Sequence, residues 1–141
     1  MFKARDSDPE MDVFNLVIIF DRLPDMRLSV NGLYKLSHWG TRSRIVAPAK
    51  EEAFYLAREA LSKCDYWKAP EKARIHYEFY SKTRSVKDIE GGLIPACKPW
   101  VDGLVRAGAL KSDSGWHLWI GRGELRSADH NQTRLIIEPM E

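Results

Sequence analysis

Between Leu93 and Gly108 the apolar residues fall at helical spacing. Leu93, Cys97, Trp100, Val101, Leu104 and Val105 recur every three or four positions, which marks one face of an amphipathic helix. Pro95 and Pro99 limit where that helix can begin, because proline is tolerated in a first turn but breaks or kinks an interior. A regular helix is therefore expected from about Ala96 or Lys98 to Ala107. Gly108 is its natural stop, and Gly91 and Gly92 permit a tight turn ahead of it.

Charged residues frame this helix. Asp88 and Glu90 precede it, Asp113 follows it, and Lys98 and Asp102 lie within it four residues apart, on a shared face. If the helix packs on a sheet and the chain turns back after Gly108, Asp113 comes beside Asp88 and Glu90. Three hard oxygen ligands of that kind suit a magnesium ion, which keeps several waters and needs few protein carboxylates. The alternative is that these acids are solvated caps and surface, as most are in a chain with 20 acidic residues among 141.

The run resembles the signature of the RusA family of Holliday-junction resolvases. In that family an Asp-x-Asp-Asn element is followed by Lys-x-x-x-Asp-(Ala/Gly)-Leu, Ala-Gly-(aliphatic) and an Asp-Asp pair. The matching stretches here are Asp88-Ile89-Glu90, Lys98-Pro99-Trp100-Val101-Asp102-Gly103-Leu104, Ala107-Gly108-Ala109-Leu110 and Ser112-Asp113. Three positions depart from the pattern: Glu90 stands for the second Asp, Gly91-Gly92 for the Asn, and Ser112 for the first Asp of the later pair. The resemblance implies an α+β domain with two helices packed on a mixed sheet. It also implies Asp88, Glu90 and Asp113 as ligands of Mg²⁺, with Mn²⁺ as the substitute ion, and Lys98 as the cation that stabilises the transition state. By the same resemblance the protein would be a homodimeric endonuclease of branched DNA, acting in recombination and repair. Glu90, Gly91-Gly92 and Ser112 favour the alternative of a branched-DNA-binding protein that kept the fold and lost catalysis. A third alternative is a relative of the fold that binds a protein partner only.

The remaining segments are read from their patterns. Val13 to Phe20 is β-branched and apolar with little polar interruption, as in a central strand covered on both faces. A Pro-containing break follows, and then an Asn31-Gly32 loop leads into a basic, aromatic stretch with Tyr34, Lys35, His38, Trp39, Arg42 and Arg44. Between Arg22 and Lys50 six cations face Asp25 alone. Cations interleaved with rings suit a phosphate backbone and unpaired bases; the alternative is a solvated loop with Trp39 folded onto the core. A helix from Pro48 or Ala49 to about Cys64 is expected to bury Ala53, Phe54, Ala57, Ala60, Leu61 and Cys64. Ala73 to Tyr80 alternates as a half-buried strand, with Arg74, His76 and Glu78 on the outer face.

Ser81 to Lys87 supplies Lys82, Arg84 and Lys87, which join Arg42 and Arg44 as candidate DNA contacts. Two further strands, Trp116 to Ile120 and Thr133 to Glu138, flank a segment of turn composition and are expected to form an antiparallel hairpin.

Length and composition bound the answer. One domain of 141 residues, 44% hydrophobic and 30% charged, is globular, and the acidic opening dozen residues are expected to form a mobile tail, leaving residues 13–141 as the folded domain. No stretch reaches membrane-spanning length and the first residues lack the apolar centre of a signal peptide, so a cytoplasmic protein is expected. Cys64 and Cys97 are read as buried thiols without a disulfide, and the scattered histidines disfavour zinc. A net charge of +2 is too small to indicate nucleic acid by itself.

Overall fold

The computed structural model describes residues 15–29, 39–84 and 88–140; the expected acidic tail, the Asn31 to His38 loop and Lys87 lie outside them. Four strands form one mixed sheet in the order β1-β4-β2-β3: β1 is Leu16–Phe20, β2 Lys72–Ser81, β3 Leu118–Ser127 and β4 Gln132–Met140. β4 pairs antiparallel with both β1 and β2, and β3 pairs parallel with β2. Three helices join them: α1 (Trp39–Ser62), the single turn α2 (Ile94–Ala96) and α3 (Lys98–Ala107). The expected α+β architecture, with helices on a mixed sheet, is what the chain adopts.

The sheet order differs from the expected one for a reason visible in the residues. β4 carries the continuous apolar run Leu135, Ile136 and Ile137, all buried, and takes a central slot with a strand on each side. β1, expected at the centre, is an edge strand whose Ile19 is exposed. β3 does not form a hairpin with β4, because β2 lies between them. The turn composition after Ser127 signals a reversal of direction but not which strand is met on return. β3 also starts two residues later than expected, at Leu118. β2, expected to be half-buried, is buried on both faces from Ile75 to Ser81, and His76 and Glu78 are enclosed with the rest.

α1 begins at Trp39, well before Pro48, which sits inside the helix. The proline removes the bond its N–H would give to the Arg44 carbonyl. Both residues are on the exposed side, where water can take that carbonyl. The buried line of α1 is Ala49, Ala53 and Ala57, spaced by four, and its small side chains let α3 come close. The contact is tightest at Gly103, where a Cβ would collide with the Lys50 carbonyl oxygen and lie 2.7 Å from Ala53 Cβ.

α3 starts and stops where its sequence dictates. Pro99 occupies the first turn, and Gly108 closes the helix in the left-handed conformation at φ 87°. Its buried face is Trp100, Val101, Leu104 and Ala107. Trp100 stacks on Phe20 of β1 at 3.9 Å between ring centroids and donates its indole N–H to Glu52 at 3.0 Å. Arg22 then forks that carboxylate from above, at 2.6 Å. Cys97 is buried and burial pushes its thiol well up, so it is a packing residue; Cys64 is only half-buried, and both thiols are free. Among the described residues no helix is long and apolar enough to cross a membrane.

Candidate functional site

Lys98 opens α3 and Asp102 lies one turn further on the same face, so the Lys98 ammonium reaches the Asp102 carboxylate at 2.6 Å. After Gly108 the chain doubles back. Buried Ala109 and Leu110 anchor this return, and Trp67 donates its indole N–H to the Ala109 carbonyl at 3.0 Å. The link delivers Asp113 to the same ammonium, which hydrogen-bonds both carboxylates. Lys50 extends the set from α1, its ammonium 3.9 Å from the other Asp102 oxygen. Four side chains from two helices and a loop thus alternate in sign: Lys50, Asp102, Lys98, Asp113.

The electrostatics follow from these contacts. The hydrogen bond from Lys98 holds the Asp113 carboxyl below its usual value, against a smaller opposing effect of burial. For Lys98, burial favours the neutral amine, but the hydrogen bonds to Asp102 and Asp113 together outweigh it and raise the pKa. Both groups are therefore charged at neutral pH.

A cleft of about 420 Å³ lies alongside. Its charged lining is Arg42, Lys50, Lys98 and Asp102, and its apolar lining includes Leu28, Val46, Pro95 and Pro99. Arg42, Val46 and Lys50 share one face of α1 at four-residue spacing. That spacing is the signal by which Lys50 could have been singled out from the sequence, where it figures only in the charge count.

The other expected residues are placed as follows. Asp88 caps the π-turn Ile89–Leu93, its carboxylate accepting from the Gly91 N–H at 3.0 Å. A Cβ at Gly91 would strike that carboxylate, so the glycine found where the family has Asn is what lets Asp88 fold over its own turn. Glu90 is exposed and lines a second cleft of about 410 Å³ with Ile94, Ile120 and Gly123. The Ser112 hydroxyl accepts from the Ser114 N–H at 3.1 Å. Arg44, Lys82 and Arg84 are exposed; Arg44 does not line the cleft, and Lys82 and Arg84 follow the end of β2. His76 is buried, 3.0 Å from Glu138, and its other ring nitrogen accepts the Arg122 N–H at 2.9 Å.

The donor chemistry of this region suits magnesium, which is served by one or two carboxylates completed by water and phosphate. Asp113 and Asp102 meet at one ammonium, whereas Asp88 accepts from its own turn and Glu90 lines the second cleft. Among the described residues no three His, Cys, Asp or Glu side chains stand together as a metal-holding group. No protein-family model matches the chain, and the search of curated proteins finds no match.

Proposed function

We propose that the protein is a magnesium-dependent, structure-selective endonuclease that hydrolyses phosphodiester bonds in branched DNA, as in the RusA-type resolution of Holliday junctions. The observation that carries this reading is the Lys98 ammonium, shared by Asp102 and Asp113 at the margin of a cleft lined by Arg42 and Lys50. Arg42 and Lys50 suit two phosphates of one strand, and the prolines and Val46 suit the sugar edges between them. Lys98 can release a carboxylate and turn its ammonium to the phosphoryl oxygen on which negative charge builds. Asp102, which holds Lys98 from within the helix, orients it.

Asp113, with Asp88 and Glu90 by the resemblance, would hold the metal. When bound, magnesium polarises the phosphate and lowers the pKa of the attacking water. Two such sites in a homodimer would give paired cuts across a four-way junction, because a two-fold axis relates both the sites and the arms. Arg44, Lys82 and Arg84 would contribute phosphate contacts away from the cleft, and Lys87, outside the described residues, is a further candidate from the sequence.

The test incubates labelled four-way junctions with the protein and Mg²⁺ beside Asp113→Asn. Symmetric nicks that vanish in the variant and in EDTA support the nuclease. A second reading, a branched-DNA binder without cleavage, draws support from Ser112, whose hydroxyl is spent within its own turn, and from the separate engagement of Asp88. A retained gel shift without nicks in the native chain selects it.

A further inference from the structure

Trp116 stands almost wholly in water. It is 83% exposed, against 2% for Trp100 and 37% for Trp119. Trp100 is stacked and hydrogen-bonded within the core, and Trp67 pins the loop after α3. Among the described residues Trp116 has no ring or cation partner. A large indole kept in water contributes nothing to the core and leaves a broad flat face open to a ligand.

The turn that carries it is well tied. The Ser114 carbonyl accepts both the His117 and the Leu118 N–H at 2.9 Å, the Ser114 N–H is held by Ser112, and the His117 ring lies 2.9 Å from the Glu71 carbonyl. A backbone held in this way does not have to be ordered on binding, which lowers the entropic cost of using the ring it carries. Its position is also limited in relation to the proposed chemistry: it follows Asp113 by three positions, so the two α-carbons lie within about 11 Å of each other.

We propose that Trp116 is a branch-point reader, stacking on a base that has lost its neighbour where DNA strands exchange. The assignment rests on the branched-DNA reading above. At such a point a base exposes one π-face, and an indole matches it with little regard to sequence. Lys98, held by Asp102 and Asp113, and Lys111, held by Glu71, are both exposed, and would exchange these carboxylates for the flanking phosphates. Trp119 and Ile120, three and four positions on along the edge strand β3, are exposed as well, so a protein interface on this edge is the competing outcome that the test must separate from a stacked base.

The experiment compares the native chain, Trp116→Ala and Trp116→Phe in EDTA, where no cutting can occur. The probes are a fluorescein-labelled four-way junction, a linear duplex of the same arms and a short oligo(dT). Trp116→Ala is expected to weaken junction and oligo(dT) binding about tenfold, the order of one base–aromatic stack, with duplex binding within about twofold. Trp116→Phe should restore most of the loss, and oligo(dT) should quench a share of indole emission that Trp116→Ala lacks. Unchanged junction binding in Trp116→Ala overturns the assignment, as does an equal loss on duplex, or a loss of self-association in the ultracentrifuge with DNA binding intact. A native chain that binds junctions but never nicks them defeats the nuclease reading and leaves Trp116 standing. One that nicks junctions while Trp116→Ala binds them as tightly defeats Trp116 alone, and one that binds no DNA defeats both.

Discussion

Lys98 and Asp113, fifteen residues apart in the chain, meet as a hydrogen-bonded ion pair because α3 ends at Gly108 and the chain reverses. Lys98 is 58% exposed and Asp113 38%, so water screens the pair and its net worth is that of a surface salt bridge, about 0.2–1 kcal/mol. Asp113→Asn should cost no more than this in urea unfolding at pH 7.

Its pH dependence has a definite sign. The Asp113 pKa is lowered in the folded chain, so its contribution is complete above the unfolded carboxyl value and is lost as pH falls through the folded one. The Lys98 pKa is raised, so its contribution is complete below the unfolded amine value and is lost as pH rises through the folded one. The stability gap between the native chain and Asp113→Asn should be level from about pH 5 to pH 9 and close below about pH 4. Urea melts of both chains across that range check it; a gap that widens in acid would contradict the pairing.

Catalysis should respond to the same side chains far more strongly than folding does. Lys98→Met is expected to lower the junction-cleavage rate about 10²–10³-fold, the usual cost of removing one donor aimed at a developing oxyanion. Its melting curve should move little. Single-turnover cleavage with saturating enzyme separates this effect from weaker binding, and an unchanged rate would remove Lys98 from the chemistry.

How far the site can be read from the sequence depends on how local each feature is. Lys98 and Asp102 are one helical turn apart, and Gly108 marks its own stop, so α3 and half of the cluster follow from spacing alone. The sequence also predicts the return of Asp113, toward Asp88 and Glu90; the contact the structure gives it is with Lys98, which also holds Asp102. Asp88 is illegible in this respect because its nearest partner is the Gly91 N–H three residues on, an interaction that the positions of the acids do not reveal. Strand order is the least legible part. β1 and β4 both carry an apolar run, and only the partners available to each, which are long-range, decide that β4 is central and β1 marginal.

Arg42 and Lys50 line the cleft from one face of α1 and should act as charges rather than as readers of sequence. Replacing either by Ala should weaken binding to junction and duplex alike. It should also lower the slope of log affinity against log salt by about 0.9 for each phosphate that is no longer neutralised. Arg44, which does not line the cleft, serves as the comparison on the same helix. Fluorescence anisotropy titrations at several salt concentrations measure both quantities, and an Arg44→Ala slope change larger than that of Arg42→Ala would place the phosphate track elsewhere.

Gly103 ties the fold to the cleft. It is buried where α3 meets α1, against the Lys50 carbonyl and Ala53, while its neighbour Asp102 faces the Lys50 ammonium 3.9 Å away. A methyl group added there cannot be accommodated by turning a flexible side chain, because the atom it meets first is backbone. The helices must separate. Gly103→Ala should therefore destabilise the domain by about 1–3 kcal/mol, the range for overpacking a close contact, despite the better helix propensity of alanine. Because the same displacement draws Lys50 away from Asp102, DNA affinity should fall as well. Lys50→Ala supplies the contrast: it removes the charge without touching the helix contact, so affinity should drop while stability stays within about 0.5 kcal/mol of the native value. If Gly103→Ala lowers stability but binds DNA as the native chain does, the cleft does not depend on how closely the two helices pack.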